Sequence, residues 1–236
     1  MRQPLSLWLK TRYRRVWWCL FLAALIPFAN ILFRYQTDRL GINPLQALQQ
    51  ETGQWALIFL IISLTVTPVR RFMAFICQKL AARYGKRISD WNWIIRLRRM
   101  LGLYALFYAT LHCLTWLHFD ISWMFSWIIE ETAEKPYLVA GFLVYIILLI
   151  LGLTSPRFMM KRLGKNWLRI HRSIYAASLL ALLHVWWSAK PGSQEPLYYT
   201  FLIILLLLFR ILTWSGILSR KPGDNGLPVP ERQVNH

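Results

Sequence analysis

Two histidines stand near the ends of one apolar stretch, IHRSIYAASLLALLHVWW, at residues 170–187. His171 and His184 are 13 residues apart. A continuous α-helix would therefore separate them by roughly 20 Å, which is most of the roughly 30 Å hydrocarbon core of a bilayer. Imidazoles at two depths of one membrane helix predict metal or heme ligation at one or both depths.

A third histidine, His112, lies at nearly the same predicted depth as His184. Its apolar run begins near Met100, so His112 lies roughly 18 Å along its helix, against roughly 20 Å for His184. Two neutral imidazoles at one depth, on two helices that run in the same direction, form the ligand set of a bis-histidine b-type heme. Each histidine alone is also compatible with an interhelical hydrogen bond, but the matched depth favours ligation.

The sequence leaves the role of His171 open, because it stands in a basic boundary region where an interfacial histidine is an equally good interpretation. At its depth, the helix of His112 holds no histidine and carries Arg98 and Arg99 instead. These arginines either bind heme propionates or a flavin phosphate, or anchor the helix by the positive-inside rule. On a straight helix, His171 and His184 would also point about 140° apart.

The composition places the chain among membrane proteins. Of its 236 residues, 56% are hydrophobic and 13 are Trp, which is more apolar surface than one soluble core covers. The formal net charge of +18 is compatible with nucleic-acid binding in principle. However, the basic residues stand in loops between apolar runs, so we expect lipid headgroups and no nucleic acid as partners. The three Cys have no paired spacing and predict no disulfide framework.

The apolar runs predict an all-α fold, a polytopic membrane bundle of six transmembrane helices. The predicted spans are 16–33, 54–69, 100–119, 136–154, 170–189 and 197–214. Short amphipathic helices are expected outside the spans, at 43–50 and at 72–84. The segments 70–99 and 155–169 are predicted to be basic loops.

The charges predict the orientation of the bundle. Seven of the ten acidic residues lie on the side opposite the N-terminal arm and the two basic loops. By the positive-inside rule, both termini are then cytoplasmic. The predicted organisation is a cytoplasmic basic arm at 1–15, one six-helix domain at 16–218 and a disordered cytoplasmic tail at 219–236.

Several motifs together resemble those of one family. They are RRMLGLYALFYATLH, LTSPRFMMKRLGKNWLRIHRSIYAASLLALLHVWW, LGINPLQALQQETGQWAL and TVTPVRRF. The resemblance is to the MsrQ (YedZ) family and covers roughly residues 16–213. It implies a ferric-reductase-like transmembrane domain with heme b bound through His112, His171 and His184. Two-heme relatives of that domain carry a second histidine on the third helix. This chain has Arg98 and Arg99 there, which leaves a second heme open.

The resemblance also implies a function. MsrQ proteins are multi-pass proteins of the bacterial inner membrane and heme-binding subunits of the MsrPQ methionine sulfoxide reductase system. They pass electrons from the quinone pool or a cytoplasmic flavin reductase to MsrP, a periplasmic molybdopterin subunit that repairs oxidised periplasmic proteins. FMN is a second implied cofactor, for which the sequence assigns no residues. The sulfoxide chemistry is expected in the partner subunit.

Three other interpretations stay open at the level of sequence. A ferric or other heme-dependent transmembrane reductase would use the same histidines. A histidine-relay transporter is the alternative from a different class, although the spans lack the carboxylates that such relays usually include. A structural anchor for a partner enzyme is the third.

Overall fold

The computed structural model describes residues 12–82 and 84–215, and every regular element in these ranges is a helix, which confirms the predicted all-α fold. The elements are α1 (Tyr13–Gln36), α2 (Pro44–Lys79), a 3₁₀ turn (Ile88–Trp91), α3 (Asn92–Phe119), α4 (Phe125–Glu134), α5 (Pro136–Leu153), α6 (Arg157–Leu163), α7 (Lys165–Arg172), α8 (Ile174–Ser188) and α9 (Glu195–Trp214). The predicted tail 219–236 and most of the predicted arm 1–15 lie outside the described residues.

Among the described helices, five are long and apolar enough to cross a membrane: α1, α2, α3 with its preceding 3₁₀ turn, α5 and α9. The predicted spans 16–33, 136–154 and 197–214 agree with α1, α5 and α9 to within three residues. Pro27 lies inside α1, as membrane helices tolerate. The chain is therefore a multi-pass membrane protein, and the sixth predicted span depends on α8.

Helix α2 corrects the sequence prediction most. Its 36 residues extend about 54 Å. They join the expected helix 43–50, the span 54–69 and the first part of 72–84 into one element. Asn43 caps the helix by accepting a hydrogen bond from the Gln46 N–H at 3.1 Å, and Pro44 fills the first turn, where its missing N–H is not needed. Pro68 lies inside the helix and does not end it.

The predicted fifth span, 170–189, is divided into two elements. Helix α7 ends at Arg172 and α8 begins at Ile174, with 15 residues. Ser173 separates them, because its N–H and its Oγ both donate to the carbonyl of Ile170, at 3.0 Å and 2.7 Å. Serine side chains that bond to the preceding turn compete with the helical ladder and bend helices. The angle of 140° between His171 and His184 assumed a straight helix and no longer applies.

Two predicted basic loops are partly helical. Helix α3 begins at Asn92 rather than near residue 100, so Arg98 and Arg99 lie inside this helix and not in the loop before it. The segment 155–169 contains α6 and the first part of α7. The basic side chains of both segments are consequently held on helices, at fixed positions relative to the bundle.

Alternating helix directions give the bundle a basic end and an acidic end. At the basic end, Tyr13–Trp93 joins the starts of α1 and α3, Arg70–Asn92 joins the second half of α2 to the start of α3, and Tyr175–Trp214 joins the start of α8 to the end of α9. Contacts at the acidic end join the end of α1 and the end of α3 to the start of α2, and α2 to the start of α9; they are Arg34–Glu51, Gln49–Asp120 and Gln54–Glu195.

Aromatic side chains of α2 and α3 fill the centre of the bundle. Phe59 stacks on Tyr108 at 5.3 Å and on Tyr104 at 5.4 Å between ring centroids. Tyr108 is fully buried, and its hydroxyl accepts from the Phe28 N–H at 3.0 Å and donates to the Ala24 carbonyl at 2.8 Å. This hydroxyl ties α3 to α1 beside the proline of α1. The packing fixes the position of α3, which carries His112.

Candidate functional site

Two imidazole rings lie close together in the half of the bundle nearer the acidic end. They belong to His112 on α3 and His184 on α8, and their centroids are 6.2 Å apart with the ring planes at 82°. Both residues are partly buried. Helices α3 and α8 both begin at the basic end, so the two histidines lie on helices that run in the same direction, as their spacing predicts.

A main-chain carbonyl on a neighbouring helix holds each ring. His112 Nδ1 lies 2.9 Å from the Gln49 oxygen on α2, and His184 Nδ1 lies 2.7 Å from the Tyr137 oxygen on α5. A carbonyl oxygen only accepts hydrogen bonds, so each Nδ1 must carry the proton. In the neutral ring, Nε2 then keeps its lone pair. A ring held at one nitrogen by a backbone carbonyl is the usual support of a metal-ligating histidine.

A glycine gives each ring the room it needs. A Cβ added at Gly53 of α2 would lie 3.1 Å from Cε1 and Nδ1 of His112. A Cβ added at Gly141 of α5 would lie 2.9 Å from the same two atoms of His184. Each glycine stands four residues after the carbonyl that binds the ring, one helical turn away. The pairs α2–α3 and α5–α8 therefore repeat one device: a carbonyl, a glycine one turn later, and a histidine on the partner helix.

The distance between the rings suits one shared metal ion. An imidazole nitrogen binds a transition metal at about 2 Å. The ring centre lies about 1.2 Å further back, so two imidazoles that share one metal ion would have ring centroids no more than roughly 6.5 Å apart. Two histidines do not complete the four-ligand site of a bare zinc ion. The described ranges contain no group of three or more His, Cys, Asp or Glu that could hold such an ion. The iron of a heme would need only two ligands from the protein, and His112 and His184 could supply them.

His171 lies apart from this pair, at the basic end. Its Nδ1 donates to the Trp167 carbonyl at 3.2 Å, and its ring stacks on Trp167 with centroids 4.0 Å apart. Arg98 is half-buried and close enough to act electrostatically on His171, whereas Arg99 is exposed. The structure thus places Arg98 within electrostatic range of His171 and leaves Arg99 on the surface. Among the described residues, the ring contacts of His171 include no second histidine.

Comparison with known proteins agrees with this geometry. Residues 52–182, more than half of the chain, match the family described as "Ferric reductase like transmembrane component". The "Protein-methionine-sulfoxide reductase heme-binding subunit MsrQ" of Herminiimonas arsenicoxydans is 38% identical over 199 residues, which are 83% of this chain and 84% of that protein. The proteins of the same name from Bordetella pertussis and Ralstonia nicotianae are each 35% identical, over 83% and 90% of this chain and 88% and 91% of their own.

This chain belongs to the MsrQ family. The matched region contains α3, α5 and most of α2 and α8, which are the four helices of the paired device. It ends at Leu182, two residues before His184, while the similarity to the MsrQ relatives extends over most of the chain.

Sequence reasoning missed the supports of the two rings. Gly53 and Gly141 could have been found from the sequence, because a glycine inside an apolar helix often marks a close approach of a neighbouring element. The carbonyls of Gln49 and Tyr137 could not be found this way, because every residue carries a carbonyl. Sequence reasoning also passed over Arg210, although an ionisable residue inside a predicted span is usually functional.

Proposed function

We propose that this protein is a membrane electron-transfer subunit in which His112 and His184 hold one heme b through their Nε2 atoms. The observation that carries the proposal is the pair of Nδ1–carbonyl hydrogen bonds, since they leave both Nε2 atoms free in rings 6.2 Å apart. Heme at this position would supply one-electron redox chemistry. The chain would supply two neutral ligands and fix their orientation through the carbonyls of Gln49 and Tyr137.

The proposed topology has six spans, with α8 as the fifth along the chain and both termini in the cytoplasm. Helix α8 extends about 22 Å, and α7 precedes it with only Ser173 between them. The acidic end would then face the periplasm, because it carries few of the basic residues. The paired histidines lie nearer this end. Electrons would therefore leave toward a periplasmic methionine sulfoxide reductase, the MsrP subunit that the resemblance implies, in the bacterial inner membrane.

The basic end is the proposed entry for electrons, from the quinone pool or a cytoplasmic flavin reductase. His171 and Arg98 are the best-placed residues there, because they lie close together and are both partly buried. His171 would be a ligand of a second heme, with Arg98 near its propionates. FMN, which the resemblance implies, would be held at this end by its phosphate. Arg99, being exposed, suits an interfacial contact better than a cofactor contact.

Replacement of single histidines tests the heme site. Purified wild-type protein should show a low-spin b-type spectrum after reduction with dithionite. His112→Ala and His184→Ala should each abolish it, because one axial ligand is lost. His118→Ala is the matched control, since His118 is exposed on α3 and should leave the heme unchanged. An unaltered heme content in both ligand variants would refute the assignment.

Two further measurements separate the remaining alternatives. If His171→Ala contains less heme than the wild-type protein but keeps the heme bound by His112 and His184, a second heme binds at the basic end. An unchanged heme content would make His171 an interfacial residue. Electron transfer to purified MsrP in reconstituted membranes is the expected activity. Association without electron transfer would favour an anchor instead.

A further inference from the structure

Two arginines at the basic end are buried in part and lack full hydrogen bonding. Arg210 on α9 and Arg70 on α2 are both half-buried, and neither Nε finds a hydrogen-bond partner among the described residues. Arg210 Nη1 approaches Thr67 Oγ1 at 3.4 Å, and Arg70 Nη1 donates to Asn92 Oδ1 at 2.9 Å. Each guanidinium group has five N–H donors, so both retain unused donors beside a membrane-spanning bundle.

Within residues 12–82 and 84–215, neither of these arginines forms an ion pair with an acidic residue. Arg71 and Arg210 both lie close enough to Arg70 to repel its charge. The ion pairs in the described part of the chain are Arg34–Glu51 and Lys135–Glu131, and both lie elsewhere. Like charges in a medium of low dielectric constant repel strongly. An anion bound between them would remove this repulsion and use the free N–H groups.

An apolar groove begins beside Arg70, Arg71 and Arg210, which together form a basic cluster. It has a volume of about 550 Å³ and is lined by Pro68, Val69, Arg71, Phe72, Phe75 and Phe209. Arg210 and Arg98 line a small adjoining cleft that shares Pro68 and Phe209 with the groove. Phe72 and Phe75 are 56% and 52% exposed, so the groove lies on the outer surface of the bundle, between α2 and α9. A ligand that fits has a negative head and an apolar tail.

We propose that this groove binds an anionic phospholipid, with the headgroup phosphate on Arg71 and Arg210 and an acyl chain along the phenylalanines. Arginine forms strong charge-assisted hydrogen bonds with phosphate, and basic pockets between membrane helices bind lipid headgroups. A neutral isoprenoid lipid would fill the groove but would give Arg70, Arg71 and Arg210, which form no ion pair within the described residues, no anion to bind. Free inorganic phosphate would balance them but leave the apolar groove empty. An anionic phospholipid would both bind the arginines through its phosphate and fill the apolar groove with an acyl chain.

The test measures lipid binding to the purified full-length protein in detergent. Dioleoyl-phosphatidylglycerol is added and bound lipid is counted by native mass spectrometry. Dioleoyl-phosphatidylcholine and inorganic phosphate are the comparison ligands. The variants are Arg210→Gln and Arg71→Gln, with Arg162→Gln as the matched control, because Arg162 is an exposed arginine on α6 at the same end. Loss of one arginine from a diffuse surface layer weakens anionic lipid binding by roughly fivefold.

We expect wild-type protein to bind phosphatidylglycerol in preference to both comparison ligands. Arg210→Gln and Arg71→Gln should weaken this binding by more than about tenfold, and Arg162→Gln by no more than about fivefold. Phe75→Ser, at an exposed position, should weaken lipid binding without removing charge, and serves if an arginine variant does not fold. Equal losses in all three arginine variants would overturn the proposal, as would tight binding of inorganic phosphate alone. Heme content, measured in parallel, should not change.

Discussion

Gly141→Ala should weaken heme binding, because it places a methyl group where the His184 ring lies. The added Cβ would be 2.9 Å from two ring atoms, about 0.5 Å inside ordinary van der Waals contact, which begins at 3.4 Å. The ring cannot simply move away, because its Nδ1 donates to Tyr137 on the same helix. Moving the ring or the helix stretches that hydrogen bond and displaces Nε2. Metal–ligand distances tolerate a displacement of only about 0.2 Å, and relief of the clash requires more.

The size of the effect follows from the cost of overpacking. One extra carbon in a well-packed interior costs about 1–3 kcal/mol, which corresponds to a roughly 5- to 150-fold weaker heme affinity. Gly53→Ala should act in the same direction but less strongly, because its Cβ would lie 3.1 Å from the His112 ring. Heme affinity can be measured by transfer of heme to excess apomyoglobin, and the ligand set by the reduced spectrum.

Gly102→Ala is the matched control for both variants. Gly102 lies on α3, the helix of His112, and a Cβ added there meets nothing within 4 Å. Alanine also has a helix propensity about 1 kcal/mol better than glycine, so this variant should keep its heme and be no less stable. The reasoning fails if folded Gly141→Ala retains the wild-type affinity, or if Gly102→Ala loses heme to the same extent.

Two further predictions concern the fold. In a cysteine-free background, Ser193→Cys between α8 and α9 should react with a membrane-impermeant maleimide in intact spheroplasts, whereas Ser155→Cys at the basic end should react only after permeabilisation; equal protection of both sites would contradict six spans. Tyr108→Phe should lower the free energy of unfolding by about 1–3 kcal/mol, because it removes the two hydrogen bonds by which this buried hydroxyl joins α3 to α1. Tyr104→Phe removes a single hydrogen bond and should lower the free energy of unfolding by about 0.5–1.5 kcal/mol. Thermal denaturation of both variants beside the wild-type protein measures the difference.

The sequence predicted those features that follow from apolar length and periodic rise. Helices α1, α5 and α9 were found because long uncharged runs have one solution in a membrane. The rings of His112 and His184 could be matched in depth because a helix rises by a constant 1.5 Å per residue. The contact itself, with centroids 6.2 Å apart, needed the structure, because depth says nothing about which helices are neighbours.

The sequence failed where side chains interrupt or extend a helix. Hydropathy ended the second span at residue 69, whereas α2 continues to Lys79 and contacts the start of α3 through Arg70 and Asn92. Hydropathy also joined the end of α7 to α8, because one serine hardly changes the mean hydropathy of an apolar window. The hydroxyl of Ser173 nevertheless donates to the Ile170 carbonyl, where the helix is interrupted. The position of Arg98 within electrostatic range of His171 depends on both corrections, so spacing alone could not have predicted it.

The carbonyl partners of the two imidazoles argue against a proton relay in which a proton enters each ring at one nitrogen and leaves from the other. A relay histidine takes a proton at one nitrogen and releases one at the other, so its neighbours must exchange protons. The oxygens of Gln49 and Tyr137 accept hydrogen bonds from Nδ1 and cannot take the proton itself. They hold each imidazole in one tautomer and add no charge to the apolar interior, where a carboxylate would be costly. The arrangement therefore blocks proton passage through each ring from one nitrogen to the other, and it leaves on Nε2 the lone pair that a metal ligand needs.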